Sequence, residues 1–126
     1  MNKLPRFKTS LIVEVGEESG KFILQQELIY YSAILGRDIT VPEEFKTDFA
    51  SIPWILRWLF NVNGKHRKSA TVHDYLCENG KEERVTQAQT DAVFREAMRT
   101  EKVNPIKRYT MYLGVRAYQI TKGLLK

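Results

Sequence analysis

The length, composition and charge of this chain limit what it can be. It has 126 residues, 43% hydrophobic and 28% charged, which is enough for one domain with its own core and too apolar for wholesale disorder. Its apolar runs are shorter than the roughly 20 residues that cross a bilayer, no signal-peptide core follows the N-terminus, and a lone cysteine excludes an internal disulfide or a multi-thiolate zinc site. We therefore expect a single domain over residues 1–126, without a transmembrane segment, in a reducing compartment.

The charge is unevenly distributed along the chain. The net charge is +5, but residues 1–50 hold six basic and eight acidic residues, whereas residues 51–126 hold fourteen and seven. Such a basic second half is typical of a protein that binds a phosphate-bearing partner, or of a solvated helix face whose late lysines oppose the negative end of the helix dipole. The second interpretation is favoured, and nucleic acid is the less favoured partner, because no recognisable nucleic-acid-binding motif accompanies the charge.

The first half of the chain, residues 8–50, predicts strands. Residues 11–15 are rich in β-branched side chains and are followed by a turn-forming cluster at 16–20. Residues 21–31 predict a partner strand and part of a third, and residues 39–41 predict a further short strand that ends at Pro42. We expect a small antiparallel sheet of about three to four short strands.

The second half, residues 53–124, predicts about four helices. Pro53 suits the first turn of one helix, and the helix that carries His73 is expected to end at Gly80. Thr86 with Gln89 forms a capping box that opens the third helix.

The last helix is expected to begin at Asn104 and Pro105, which suit an N-cap and a first helical residue, and to run toward Gly123. The predicted fold class is therefore α+β, with a small N-terminal sheet followed by about four packed helices.

The most informative residue is His73, which lies on an apolar helix face with Leu76 and Cys77. Asp91 lies on the corresponding face of the next helix, where burial without a partner would be costly. Both Arg95, one turn further on, and His73 are available to Asp91. A carboxylate that holds an imidazole in one tautomer makes the histidine a competent general base, so we interpret His73 and Asp91 as candidate catalytic residues.

The same residues also fit a structural interpretation, in which a His–Asp–Arg cluster ties two helices together without doing chemistry. Asp74 lies next to His73 but about 100° round the helix. From there it is a candidate metal ligand for a hard cation such as Ca²⁺. Cys77 is more typical of core filling than of a Cys–His couple. The residues alone leave a functional and a structural cluster equally open.

A second group of candidates precedes the helix that begins at Pro53. Asp48 and Ser51 are well placed to cap that helix. Alternatively, this corner faces the His73 helix, which would make Asp48 a catalytic residue and Ser51 a weak candidate nucleophile. No Gly-x-Ser-x-Gly elbow surrounds Ser51.

A candidate partner surface combines aromatic and basic side chains. Trp54 and Trp58 are one turn apart and form an aromatic ridge, which is usually core, although an exposed part would mark a contact surface. The basic last helix contributes Lys107, Arg108 and Arg116.

Several motifs together resemble a known family. They are TDFASIP at residues 47–53, HDYL at 73–76, and the single residues Arg84, Asp91, Phe94, Ala97, Met98, Arg108 and Met111. Over about residues 22–115 the chain resembles a family of small phage and prophage proteins known as domain of unknown function family 1353. The resemblance implies a viral or prophage origin, a compact domain located in the host cytoplasm or the virion, and a phage or host protein as partner. It implies no established activity, and the chain departs from the family at Cys77, where an aromatic residue is more common.

A shorter stretch is similar to the catalytic dyad of secreted phospholipase A2. That similarity implies that His73 activates water, that Asp74 binds calcium and that Asp91 orients the histidine. The leading hypothesis is thus a hydrolase-like domain acting on an ester or amide. The alternative is a non-enzymatic module, associated with the virion or tail or binding a host protein, with a basic C-terminal helix.

Overall fold

The computed structural model of the chain describes residues 3–16, 22–47 and 67–124. They form an α+β fold, as predicted, with six strands and three helices in these ranges. The predicted helix that begins at Pro53 lies outside the described residues. The strands are β1 Arg6–Phe7, β2 Val13–Val15, β3 Phe22–Leu24, β4 Leu28–Ser32, β5 Arg37–Val41 and β6 Lys46–Thr47, and the helices are α1 Arg67–Glu83, α2 Gln87–Thr100 and α3 Pro105–Leu124.

The described strands form two small antiparallel sheets, in the orders β1-β4-β5 and β2-β3-β6. The prediction of one sheet with three to four strands was therefore wrong. Strands of two residues, such as β1 and β6, are too short for alternation of apolar side chains to reveal them. The segment predicted as one strand and part of another divides between β3 and β4, which belong to different sheets.

The hairpin of β4 and β5 carries the regular alternation expected for a half-buried sheet. Its register pairs Leu28 with Val41 at one end and Ser32 with Arg37 at the other. In β4 the side chains at 28, 30 and 32 are buried, and those between them are half-buried. The turn closes at Gly36, whose φ of 69° is a conformation that glycine adopts without steric cost.

The end predicted at Gly80 coincides with a kink at Asn79, whose φ of −119° and ψ of 22° are not helical, and not with the last residue of the first helix. The helix continues to Glu83, and Arg84 then takes a left-handed conformation with φ 58° while Val85 N donates to the Gly80 carbonyl at 2.8 Å. A Cβ atom at Gly80 would lie 2.9 Å from the Val85 carbonyl oxygen. The close return of the chain after this kink leaves no room for a side chain at position 80.

The predicted starts of α2 and α3 are confirmed. Thr86 Oγ1 accepts from Gln89 N at 3.1 Å, and Gln89 Oε1 accepts from Thr86 N at 2.9 Å, which completes the capping box. Asn104 Oδ1 accepts from Ile106 N at 2.9 Å. These caps set the phase of each helix and so decide which side chains face the neighbouring helices.

Two hydrophobic clusters hold the elements together. One packs the strands against α1 and α2, and the other packs α2 against α1 and α3. The short connection between α1 and α2 makes these helices neighbours and brings the middle of each against the other. Among the described helices, none is long and apolar enough to cross a membrane.

Candidate functional site

The middle turns of α1 and α2 meet in a buried hydrogen bond between His73 and Asp91. His73 Nε2 lies 2.8 Å from Asp91 Oδ1, and both side chains are fully buried. The imidazole ring also packs beside Phe94, with 4.7 Å between ring centroids. The two residues that the sequence singled out thus lie in direct contact, within one cluster that we call the Asp91 cluster.

Asp91 also accepts hydrogen bonds from two further side chains, and these complete the cluster. Gln87 Nε2 donates to Oδ1 at 3.1 Å, and Arg116 Nη1 from α3 donates to Oδ2 at 3.0 Å. Three helices therefore converge on one carboxylate, and both of its oxygens are engaged.

The expected partner Arg95 does not belong to this cluster. It is exposed, and its guanidinium carbon lies 5.7 Å and 5.4 Å from the ring centres of Tyr109 and Tyr112. The arginine that binds Asp91 is instead Arg116, which was predicted to be part of a partner surface. An arginine one turn along the same helix can point outward, whereas a side chain from α3 can approach the carboxylate directly.

Both members of the pair are charged around neutral pH. Burial alone would lower the pKa of His73, but the hydrogen bond to Asp91 and the contact with Cys77 outweigh it and raise the pKa to about 9. Burial would raise the pKa of Asp91, but the hydrogen bond and charge of His73, followed by Arg116 and Gln87, lower it overall. His73 is therefore an imidazolium at pH 7 and becomes a neutral base only as the pH approaches 9.

The hydrogen bond to Asp91 uses Nε2 of the His73 imidazole, so Nδ1 is the ring nitrogen that does not contact the carboxylate. Cys77 Sγ lies 3.8 Å from Nδ1 and 3.7 Å from Nε2, and it also accepts a weak hydrogen bond from Gln87 at 3.6 Å. Because the sulfur is nearly equidistant from both nitrogens, it is not aligned with the in-plane proton or lone pair of either. Among the described residues, Cys77 is the polar side chain in contact with Nδ1.

Asp74 lies on a different face of α1, as expected from its position beside His73. It is buried, and its Oδ2 accepts a hydrogen bond from Thr47 Oγ1 at 2.8 Å, which ties α1 to the end of β6. The described residues contain no group of three or more His, Cys, Asp or Glu side chains that could hold a metal ion. The other candidates of this corner and of the aromatic ridge, Asp48, Ser51, Trp54 and Trp58, lie outside the described residues.

The remaining basic candidates lie away from the Asp91 cluster. Lys107 is half-buried, and Arg108 Nη1 donates to the Val103 carbonyl at 3.4 Å. Arg108 also lines a cleft of about 730 Å³ together with Arg95, Arg99 and other side chains of α2, α3 and the N-terminal segment. The lining of this cleft does not include His73 or Asp91.

Sequence reasoning missed two members of the cluster, Gln87 and Arg116. Gln87 precedes Asp91 by one turn of the same helix, a spacing at which a Gln–Asp hydrogen bond is common, so a signal was present. Arg116 is 25 positions from Asp91 and belongs to another helix, so no local pattern connects the two.

Fold and site together define an α+β domain with a His–Asp pair buried between two helices and held by an arginine from a third. Residues 22–115 match the model of a family described as protein of unknown function (DUF1353). The match covers more than two thirds of the chain and contains His73, Gln87 and Asp91, so the chain belongs to this family. Comparisons with curated proteins and with solved structures found no match.

Proposed function

We propose that this domain is a hydrolase in which His73, oriented by Asp91, activates a water molecule for attack on an ester or amide. The supporting observation is the 2.8 Å contact of His73 Nε2 with Asp91, which directs Nδ1 away from the carboxylate. A fixed tautomer with one committed nitrogen is what a histidine base requires. On the motif resemblance, we also propose that the chain is phage-encoded.

The proposed step runs through Nδ1 of neutral His73. Water transfers a proton to Nδ1 as its oxygen adds to the substrate carbonyl carbon, and the imidazolium then returns that proton to the leaving oxygen or nitrogen. Asp91 stabilises the imidazolium formed on the way, and Gln87 and Arg116 keep the carboxylate in place. Because the pKa of His73 is about 9, the fraction of neutral base rises steeply between pH 7 and pH 9.

Asp74 is the proposed acidic neighbour of this base. Its carboxylate would supply an oxygen ligand if the similarity to the phospholipase dyad extended to calcium. In the described part of the chain, Thr47 donates to Oδ2 of Asp74, and no group of three or more His, Cys, Asp or Glu side chains could hold a metal ion. The proposed proton transfer uses His73 and Asp91.

The test uses two probes, p-nitrophenyl butyrate and phosphatidylcholine vesicles, each with and without Ca²⁺. We expect hydrolysis by the wild type to rise roughly tenfold per pH unit below pH 9, since the base form rises at that rate below its pKa. His73→Asn removes the base and should abolish the reaction, while Asp91→Asn should lower both the rate and the pH at which it levels off. Asp38→Asn, which alters a surface carboxylate that pairs with Lys8, is the matched control and should leave the rate unchanged.

Equal rates for the wild type and His73→Asn would overturn the proposal, as would a rate that does not change between pH 7 and pH 9. The proposal would also be overturned if the wild type hydrolysed neither probe under any of these conditions. Circular dichroism of each variant separates lost chemistry from lost folding.

The second candidate is a non-enzymatic module that contacts a phage or host protein, in which the Asp91 cluster only ties the helices together. The contact of Arg116 with Asp91 favours this second candidate, because a carboxylate that accepts hydrogen bonds from three helices also holds those helices together. If this second candidate is correct, His73→Gln changes the free energy of unfolding but not the biological role of the protein. If the domain is a hydrolase, a folded His73→Gln variant loses that role.

A further inference from the structure

The cleft between α2, α3 and the N-terminal segment is lined by three arginine side chains. Arg95 and Arg99 come from α2, and Arg108 comes from α3. The cleft has a volume of about 730 Å³. Sites for small molecules typically enclose roughly 300–1,000 Å³. The described residues that line this cleft include no member of the Asp91 cluster, so it is a second and separate candidate site.

The three arginines concentrate positive charge that no ion pair within the described ranges neutralises. Arg37 and Arg116 each pair with a carboxylate, but none of the three arginines of the cleft does. Arg95 and Arg99 are four residues apart on one face of α2, a spacing at which like charges destabilise a helix. An anion bound between the two guanidinium groups would remove this repulsion and gain charge-assisted hydrogen bonds.

Two of these guanidinium groups are already oriented by their neighbours. The guanidinium carbon of Arg95 lies 5.4 Å from the ring centre of Tyr112 and 5.7 Å from that of Tyr109. Contact with an aromatic face uses none of the five N–H donors of an arginine. Arg108 donates one hydrogen bond, at 3.4 Å, to the Val103 carbonyl. Both side chains therefore have N–H donors for a ligand and lose less rotamer freedom when one binds.

The charge of the cleft matches a doubly charged anion. Glu96 is the one carboxylate among the described residues that line it, and its oxygens accept from the Tyr30 hydroxyl and the Ile34 N–H. Three positive charges against one negative charge leave a charge of +2. A phosphate monoester carries a charge of about −1.5 to −2 at pH 7, and its oxygens fit the fork of a guanidinium. A single carboxylate would leave half of the positive charge unbalanced.

The side of the cleft formed by the N-terminal segment and the turn between β4 and β5 is apolar. Leu4 and Ile34 are exposed over 81% and 51% of their accessible area, and Pro5 and Ala33 line the cleft with them. Inorganic phosphate would leave these side chains in water. An apolar group attached to the phosphate would cover them and gain about 25 cal/mol for each Å² removed from water.

We propose that this cleft binds a phosphate monoester that carries an apolar or aromatic group. Arg95, Arg99 and Arg108 bind the phosphate oxygens, and the apolar group lies on Leu4 and Ile34. The proposal does not depend on hydrolysis at His73, because the two sites share no residue and binding requires no chemistry at the phosphate.

Isothermal titration calorimetry of the full chain with phenyl phosphate tests the proposal. The comparison ligands are inorganic phosphate, phenol and benzoate, which lack the apolar group, the charge and the second negative charge, respectively. We expect phenyl phosphate to bind roughly tenfold or more tightly than each of them. Its affinity should fall as salt is added, because salt screens the attraction between exposed charges.

Matched variants assign the binding to the arginines and to the apolar side. Arg99→Gln removes a charged bidentate donor from an exposed position and should weaken phenyl phosphate binding roughly tenfold or more. Leu4→Ser should weaken binding of phenyl phosphate but not of inorganic phosphate. Arg67→Gln removes the same charge from an exposed arginine that does not line the cleft, so it should bind like the wild type. Circular dichroism checks that each variant is folded.

Three results would overturn the proposal: no binding of phenyl phosphate at millimolar concentration, benzoate binding as tight as that of phenyl phosphate, or equal affinities of Arg99→Gln and the wild type. Binding of a single-stranded oligonucleotide without binding of phenyl phosphate would assign the arginines to a nucleic-acid surface and would equally reject it. Phosphatidic acid vesicles present the same phosphate monoester on a lipid. If phenyl phosphate binds, cosedimentation with these vesicles that Arg99→Gln abolishes identifies a lipid as its source, and no cosedimentation identifies a soluble ligand.

Discussion

Two acidic residues of the same helix are bound in very different ways. Asp91 accepts from protonated His73, from Arg116 and from the neutral Gln87. Among the described residues, the donors to Glu96, little more than one turn further along α2, are neutral: the Tyr30 hydroxyl at 2.7 Å and the Ile34 backbone N–H at 2.9 Å.

The difference separates a contact made by neutral donors from one that holds a titratable group. In the part of the chain that the structure describes, Glu96 joins α2 to the sheet through neutral donors, so such donors are sufficient to hold elements of this domain together. Burial of a titratable histidine beside Asp91 costs desolvation free energy, which a structural contact made by neutral donors avoids. The proton held between His73 and Asp91 is therefore the feature that distinguishes this site from an ordinary packing contact.

Removing the carboxylate at Asp91 should have the largest effect on stability. Asp91→Ala leaves a guanidinium and a buried imidazole without their acceptor, and we expect it to lower the free energy of unfolding by about 4 kcal/mol. Urea denaturation at pH 7 measures this. Asp38→Ala, which breaks the exposed pair with Lys8, should cost roughly 0.5 kcal/mol. Similar losses for the two variants would contradict the account.

Raising the pH should weaken the domain through His73. Its pKa is raised from 6.5 to about 9 in the folded state, so the stabilisation is complete below pH 6.5 and is lost as the pH rises through 9. The loss should reach roughly 3 kcal/mol by linkage. The measurement is the free energy of unfolding of the wild type and of His73→Gln. The difference between the two values should become smaller over that pH interval. A difference that stays constant from pH 6.5 to pH 10 would be inconsistent with a charged His73.

The contact at Glu96 should give a smaller and pH-independent effect. Tyr30→Phe removes one donor to a carboxylate and should lower the free energy of unfolding by about 1.5 kcal/mol. The pKa of Tyr30 is raised by burial and by Glu96, so its stabilisation is present below pH 10 and does not change between pH 6.5 and pH 9. Thermal unfolding of the wild type and Tyr30→Phe at both pH values measures this. A loss of stability that varies with pH would contradict the difference proposed between Glu96 and Asp91.

The parts of this domain that were predictable from sequence are those set by local patterns. The capping box at Thr86 and the cap at Asn104 depend on neighbours three residues or fewer away, and both are found where predicted. The meeting of His73 with Asp91 was predictable because both lie on apolar faces of consecutive helices.

What sequence reasoning missed depends on distant parts of the chain. The choice of Arg116 over Arg95 is made by the packing of α3 on α2, which no periodicity encodes. Gly80 lies beside a helix interruption, as its sequence position predicts, but the close approach of the Val85 carbonyl depends on the return of the chain and was not predictable.

The most direct test of the proton between His73 and Asp91 is an NMR titration of the imidazole nitrogens. His66, the other histidine, is assigned with a His66→Asn variant. We predict that His73 stays protonated through neutral pH and titrates near 9, and that Asp91→Asn lowers this midpoint. A midpoint at or below 6.5 in the wild type, or one unchanged by Asp91→Asn, would contradict the account.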